Sequence, residues 1–208
     1  MTNKVTYVIL YIDFILNGDI MYILGIDPGL AIVGWAVLEY SGGRFSAVDY
    51  GAVRTPAHTP IEDRLLSIYD QIGQIIEKYK PDRMSIEELF FNTNQTTAIA
   101  VAQARGVIVL RAKQYGLTIN EYTPLQVKQA VVGYGRAEKN QVISMVTTML
   151  GLSKPPKPDD TADAIALAIC DGHCGSSVLR APLLRQRVPA PAPVFWDFRF
   201  PAWHSAPG

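Results

Sequence analysis

Four carboxylates stand where a purely structural account is strained. Asp27 closes the apolar run in "MYILGIDPGLAIVGWA", and Glu87 sits inside the apolar stretch "MSIEELF". Asp160 and Asp163, in "DDTADAIALAI", lie three residues apart at a helix start and so share one face. A half-buried carboxylate with no base nearby is costly unless a cation returns the charge. Mg²⁺ accepts a few carboxylates together with water and phosphate oxygens. Two such ions about 3.5–4 Å apart can activate a water and stabilise the leaving oxygen of a phosphodiester. The spacing leaves alternatives open. Asp27 by itself could cap the Pro28-Gly29 turn. Asp159 follows Pro158 as an N-cap choice and also reaches Asp163 at i,i+4, while Glu88 adjoins Glu87 but points to the other sheet face. Capping explains Asp27 or Asp160 singly; it explains all four together poorly.

The elements that must position these acids read as α/β. Tyr22–Ile26, Gly34–Tyr40 and Phe45–Arg54 are three strands joined by short turns at Pro28-Gly29 and Gly42-Gly43. Ile61, Leu65, Ile68, Ile72, Ile75 and Ile76 recur at helical spacing, so a helix spans Pro60–Tyr79 and Pro81 stops it. Further strands are expected at Arg83–Phe90 and Leu117–Tyr122. Helices are expected at Thr96–Gln114, Pro124–Val131, Glu138–Leu150 and Asp160–Cys170. Gly133 and Gly135 mark a loop, and "SKPPKPD" is a proline-stiffened linker. Arg105 and Gly106, in an Ala-rich helix, read as packing against the sheet rather than as catalytic groups.

Three regions divide the chain. Residues 1–20, "MTNKVTYVILYIDFILNGDI", are an extension: the apolar run is broken by Asp13, is too short to span a bilayer, and lacks a cleavage-site pattern. Residues 21–174 carry the domain. Residues 175–208 are Pro-rich with interspersed Arg and aromatics and show no period, the composition of a disordered or docking tail. Apolar residues at 49% suffice for a packed core. Net charge is zero but unevenly spread: residues 101–157 hold eight Lys or Arg against Glu121 and Glu138 alone, which suggests a surface for an anionic partner. Cys170 and Cys174 are too few for a structural zinc site and imply no disulfide framework, so reduced thiols are expected.

"GIDPG", "SIEELFF", "QARG", "QVKQAVVGYGRAEKNQV" and "DDTADAIALAI", in this order, resemble the RuvC family of crossover (Holliday) junction endodeoxyribonucleases, from about Met21 to His173. The resemblance implies a ribonuclease-H-like fold, a five-stranded mixed sheet flanked by helices. It implies that Asp27, Glu87, Asp160 and Asp163 are the catalytic, metal-binding acids, with the D-x-x-D spacing favouring Asp160 over Asp159 and the Ile-Glu junction favouring Glu87 over Glu88. Lys128 and Lys139 match family lysines near the DNA backbone, and Phe90 matches an aromatic that stacks on unpaired bases at the junction. Further implications are two Mg²⁺ per site with Mn²⁺ as a substitute, a homodimer acting on four-way junction DNA beside the RuvA–RuvB complex, a cytoplasmic location and no membrane. A rival reading takes "GIDPG" as the phosphate element of the kinase, actin and chaperone branch of the same fold. It requires a second Gly-rich phosphate loop and a longer chain, and neither is present.

Overall fold

β1 (Met21–Asp27) is apolar on both faces because it is covered on both: Ile23 packs into one layer, Leu24 and Ile26 into the other. The computed structural model describes residues 20–89 and 95–175. The extension up to residue 19, the tail from residue 176 and Phe90 lie outside the described residues. β1 is followed by β2 (Ile32–Ser41), β3 (Arg44–Arg54), α1 (Ile61–Tyr79), β4 (Arg83–Glu87), α2 (Gln95–Gln114), β5 (Thr118–Tyr122), α3 (Pro124–Val132), α4 (Lys139–Met149) and α5 (Asp159–Gly175). The five strands form one mixed sheet in the order β3-β2-β1-β4-β5, with β1, β2 and β3 antiparallel and β1, β4 and β5 parallel. This is the ribonuclease-H-like arrangement expected from the sequence.

α1 and α2 cover one face. Ile68, Ile72 and Ile76, one helical turn apart, bury against Leu24, Val37, Met84 and Ile108. α1 ends at Lys80, whose left-handed φ of 48° turns the chain before Pro81. α5 covers the opposite face, helped by α3 and α4. It lies on the sheet backbone itself: a Cβ on Gly25 would fall 2.0 Å from the Ala164 carbonyl oxygen, and one on Gly34 2.0 Å from that of Asp160. These two strand glycines therefore set how closely the helix carrying two of the acids can approach.

Several expectations change in detail. β4 stops at Glu87 rather than continuing to residue 90; the Glu88 N–H still donates to the Tyr122 carbonyl, but its side chain is exposed. Arg105 lies mid-helix and packs as expected, donating from Nε to the Glu87 carbonyl at 3.2 Å and pairing with Glu121 at 2.5 Å. Gly106 does not pack: it is exposed, with open space where a Cβ would stand. The basic segment is not one surface, because folding takes up part of it. The Arg111 guanidinium is sandwiched between the Tyr69 and Tyr115 rings, 4.3 and 4.9 Å from their centroids. Gly29 owes its identity to its own turn: a Cβ there would meet the Ile32 carbonyl oxygen at 2.3 Å. Cys170 is buried and Cys174 exposed, and neither is in a disulfide.

Candidate active site

Asp27 and Glu87 are the last residues of two neighbouring parallel strands, whose register sets Ile26 opposite Ile86. Strand alternation turns both carboxylates to the α5 side: Gly25 touches α5 two residues before Asp27, and Ser85 and Arg83 share the face of Glu87. α5 starts over this edge. Its Asp160 carbonyl rests on Gly34, the residue paired with Asp27 across the β1–β2 ladder. Asp160 and Asp163 thus enter the first turns of a helix whose N-terminus sits at the C-terminal edge of the parallel strands.

Asp163, Glu87 and Asp160 all act on Asp27 electrostatically. Burial, followed by the charges of Asp163, Glu87 and Asp160, pushes the Asp27 carboxyl up to about 8, with Lys139 acting in the other direction. Glu87 is raised by burial and by Asp163, against a hydrogen bond with Asp27 and the charge of Lys139. Asp163 is raised by burial, opposed by its hydrogen bond to Lys139. Lys139, the first residue of α4, places its ammonium 3.0 Å from an Asp163 oxygen. Partial burial works against the Lys139 charge, but Asp163, Asp159 and Asp160 raise its affinity for the proton overall.

The alternatives left open by the spacing are narrowed. Among the described residues, no backbone N–H of the Pro28-Gly29 turn is bonded to the Asp27 carboxylate, so Asp27 is not a cap. Asp159 is drawn to Lys157 at 3.0 Å, which holds its carboxyl below the usual range. Glu88 faces solvent. A cavity of about 240 Å³ opens beside the acids, lined by Glu87, Asp163, Lys128 and Lys139 on walls that include Pro124 and Val142. Lys128 on α3 and Lys139 on α4 therefore flank one cleft, 11 positions apart in sequence. Among the described residues, no group of three or more His, Cys, Asp or Glu side chains is placed to hold a metal ion; Lys139 holds one oxygen of Asp163 instead. Sequence reasoning missed that direct contact, and it missed Gly25 and Gly34 as spacers. A glycine inside an apolar strand was the available signal for the latter.

The sheet order and this acidic strand edge define a ribonuclease-H-like nuclease. A family profile described as Crossover junction endodeoxyribonuclease RuvC matches residues 23–171. A crossover junction endodeoxyribonuclease RuvC from Desulfitobacterium hafniense is 59% identical over 153 residues, covering 74% of this chain and 93% of that relative. Solved Thermus thermophilus RuvC is 31% identical with a TM-score of 0.70, covering 76% of this chain and 97% of that one. The same protein in complex with Holliday junction substrate matches with a TM-score of 0.73 at 31% identity, covering 76% and 96%. The chain belongs to the RuvC family of crossover junction endodeoxyribonucleases. No helix among the described residues is long and apolar enough to cross a membrane.

Proposed function

We propose that this chain is a Mg²⁺-dependent, structure-selective endonuclease that resolves four-way DNA junctions by paired symmetric nicks during recombination and repair. The observation that carries the reading is the cluster around Asp27: burial and three further acids raise its carboxyl to about 8 at the edge of a cleft that also holds two lysines. The complex of Thermus thermophilus RuvC with Holliday junction substrate supports the choice of DNA.

The donor set fits hard cations. All four side chains are carboxylates, and a cation among them would favour the charged form of Asp27, which burial and the neighbouring acids disfavour. Asp27, Glu87, Asp160 and Asp163 would hold the two ions; Mn²⁺ suits the same oxygens. When bound, the ions supply Lewis-acid activation of water and stabilise charge at phosphorus. Asp163 orients the attacking water. Attack in line on phosphorus with departure of O3′ leaves a 5′-phosphate and a 3′-hydroxyl. Lys128 and Lys139 offset charge growing on the non-bridging oxygens. Phe90 is the aromatic for unpaired bases at the crossover.

Paired nicks need two sites, hence a homodimer. α2 offers a face for it: Ile99 (61% exposed) and Leu110 (55% exposed) align with exposed Gln103 and Gly106 at 99, 103, 106 and 110. The RuvA–RuvB complex is the proposed partner in a cytoplasmic setting. The decisive experiment is cleavage of a synthetic four-way junction in Mg²⁺ against linear duplex of the same sequence. Symmetric nicks confined to the junction are expected, and equal cutting of the linear duplex would sink the claim. Lys128→Ala is expected to slow cleavage more than it weakens junction binding.

A further inference from the structure

The segment between the two cleft lysines is folded back on its own helix. α3 opens with a capping box: the Gln126 N–H donates to Thr123 Oγ1 at 3.2 Å and the Thr123 N–H to Gln126 Oε1 at 2.8 Å. This fixes Pro124, Val127 and Lys128 on the cleft wall. α3 ends at Gly133, whose φ of 91° reverses the chain. Two residues on, Gly135 lies so close to Leu125 that a Cβ would stand 2.8 Å from the leucine Cγ. The loop therefore returns to the N-terminal turn of α3, beside the cleft, before α4 starts at Lys139 on the opposite wall.

What this rim displays is unusual for a turn. Leu125 is 58% exposed and Tyr134 46% exposed, and Arg136 is exposed as well. Among the described residues, the side chains of Lys128, Tyr134 and Arg136 have no hydrogen-bond, ion-pair or ring partner. Other cations around the site are taken: Lys139 by Asp163, Arg105 by Glu121, Lys157 by Asp159. Folding thus leaves one aromatic, one guanidinium and one ammonium unused, on the short stretch that joins the two lysine-bearing walls of the cleft. A phenol ring offers a stacking face to any base that is out of its helix, and a guanidinium pairs with phosphate; together they read a nucleotide rather than a bare phosphate.

Resting on the proposed reading of the site, we infer that Tyr134 and Arg136, backed by Leu125, contact the scissile strand beside the cut phosphate. Tyr134 stacks on the neighbouring base, and Arg136 holds its phosphate. The ring reaches that base only where the helix is opened, as at a crossover, so the rim sets which base is preferred next to the cut.

The test uses the full chain and junctions carrying 2-aminopurine at positions flanking the crossover. In an Asp27→Asn background, which holds the junction uncut, binding is expected to quench the probe at one flanking position. Adding Tyr134→Ala should abolish that quench, and Tyr134→Phe should keep it. On cleavable junctions with randomised bases at the crossover, Tyr134→Ala should flatten the base preference and lower kcat/KM by about tenfold. Arg136→Ala should weaken binding evenly across sequences and reduce the salt slope by about one. An unchanged base profile and unchanged quench in Tyr134→Ala, with the parent nicking junctions normally, overturn this inference alone. A parent that nicks no junction overturns the underlying reading first. Because Tyr134 is exposed, the thermal midpoint of Tyr134→Ala should match the parent; a profile lost equally in Tyr134→Ala and Tyr134→Phe would refute stacking.

Discussion

The two ends of α5 bury acids in opposite ways. At its start, Asp163 and Asp160 both act on Asp27, and Asp163 acts on Glu87 as well, with Lys139 as the cation beside them. Toward its other end, Asp171 is fully buried among donors. It pairs with Arg83 and accepts from Asn120 Nδ2 at 2.6 Å and from the Tyr122 hydroxyl at 2.9 Å, while Arg83 Nη2 also donates to its carbonyl at 2.9 Å. Burial of a carboxylate is therefore no mark of function by itself. The partners are: an acid surrounded by donors holds structure together, and an acid surrounded by acids waits for a cation. The two ends also act on one rigid body. Like charges push the start of α5 off the sheet, and the Arg83–Asp171 clasp with the backbone contacts at Gly25 and Gly34 holds it down.

Breaking each end should give opposite results. Asp27→Asn is expected to cut junction nicking about a thousandfold or more while junction binding persists and the thermal midpoint does not fall; a variant that nicks at the parent rate removes Asp27 from the chemistry. At the far end, Asp171→Ala strands the buried Arg83 guanidinium and is expected to cost about 3–5 kcal/mol in urea unfolding. The paired change Arg83→Met with Asp171→Leu should recover most of that loss, and a pair as unstable as the single variant would show that the clasp is not the cause.

The pH dependence sharpens the comparison further. Between the unfolded carboxyl value of about 4 and the folded value of about 8, native Asp27 keeps a proton that the unfolded chain has released. Metal-free stability should therefore be flat below pH 4 and fall as pH rises through the window, by up to about 4 kcal/mol at neutrality. Asp27→Asn should remove most of that slope, leaving the smaller part from Glu87 and Asp163, and added Mg²⁺ should oppose it. A metal-free stability that rises across pH 4–8 contradicts the arrangement. The smallest effect is expected at Asn120→Ala, which takes one donor from Asp171 and should cost about 1 kcal/mol without altering the metal dependence of nicking.

Part of this was legible in the sequence. The continuous apolar run of β1 announces a strand covered on both faces, and the isoleucines of α1 announce their helix, since side-chain period depends only on local geometry. The acids stood out because each interrupts such a pattern. The Arg83–Asp171 pair did not: an arginine after Asp82 at a strand start looks like an exposed residue until β4 and α5 are superposed. The eight cations of residues 101–157 looked like one surface for the same reason, until Arg111 was found between two rings and Arg105 on Glu121.

The amino-acid sequence by itself determined the elements and their order and marked the carboxylates as candidates, because period, breakers and residue chemistry are local. Only the tertiary structure decided that Asp27 is pressed among the others rather than capping its turn, that Lys139 meets Asp163, and that Tyr134 and Arg136 remain unused at the rim. Those facts depend on where strands 60 residues apart end side by side, and on how closely two glycines let a helix approach. Charge interactions follow distance and burial, and neither is set until the layers close.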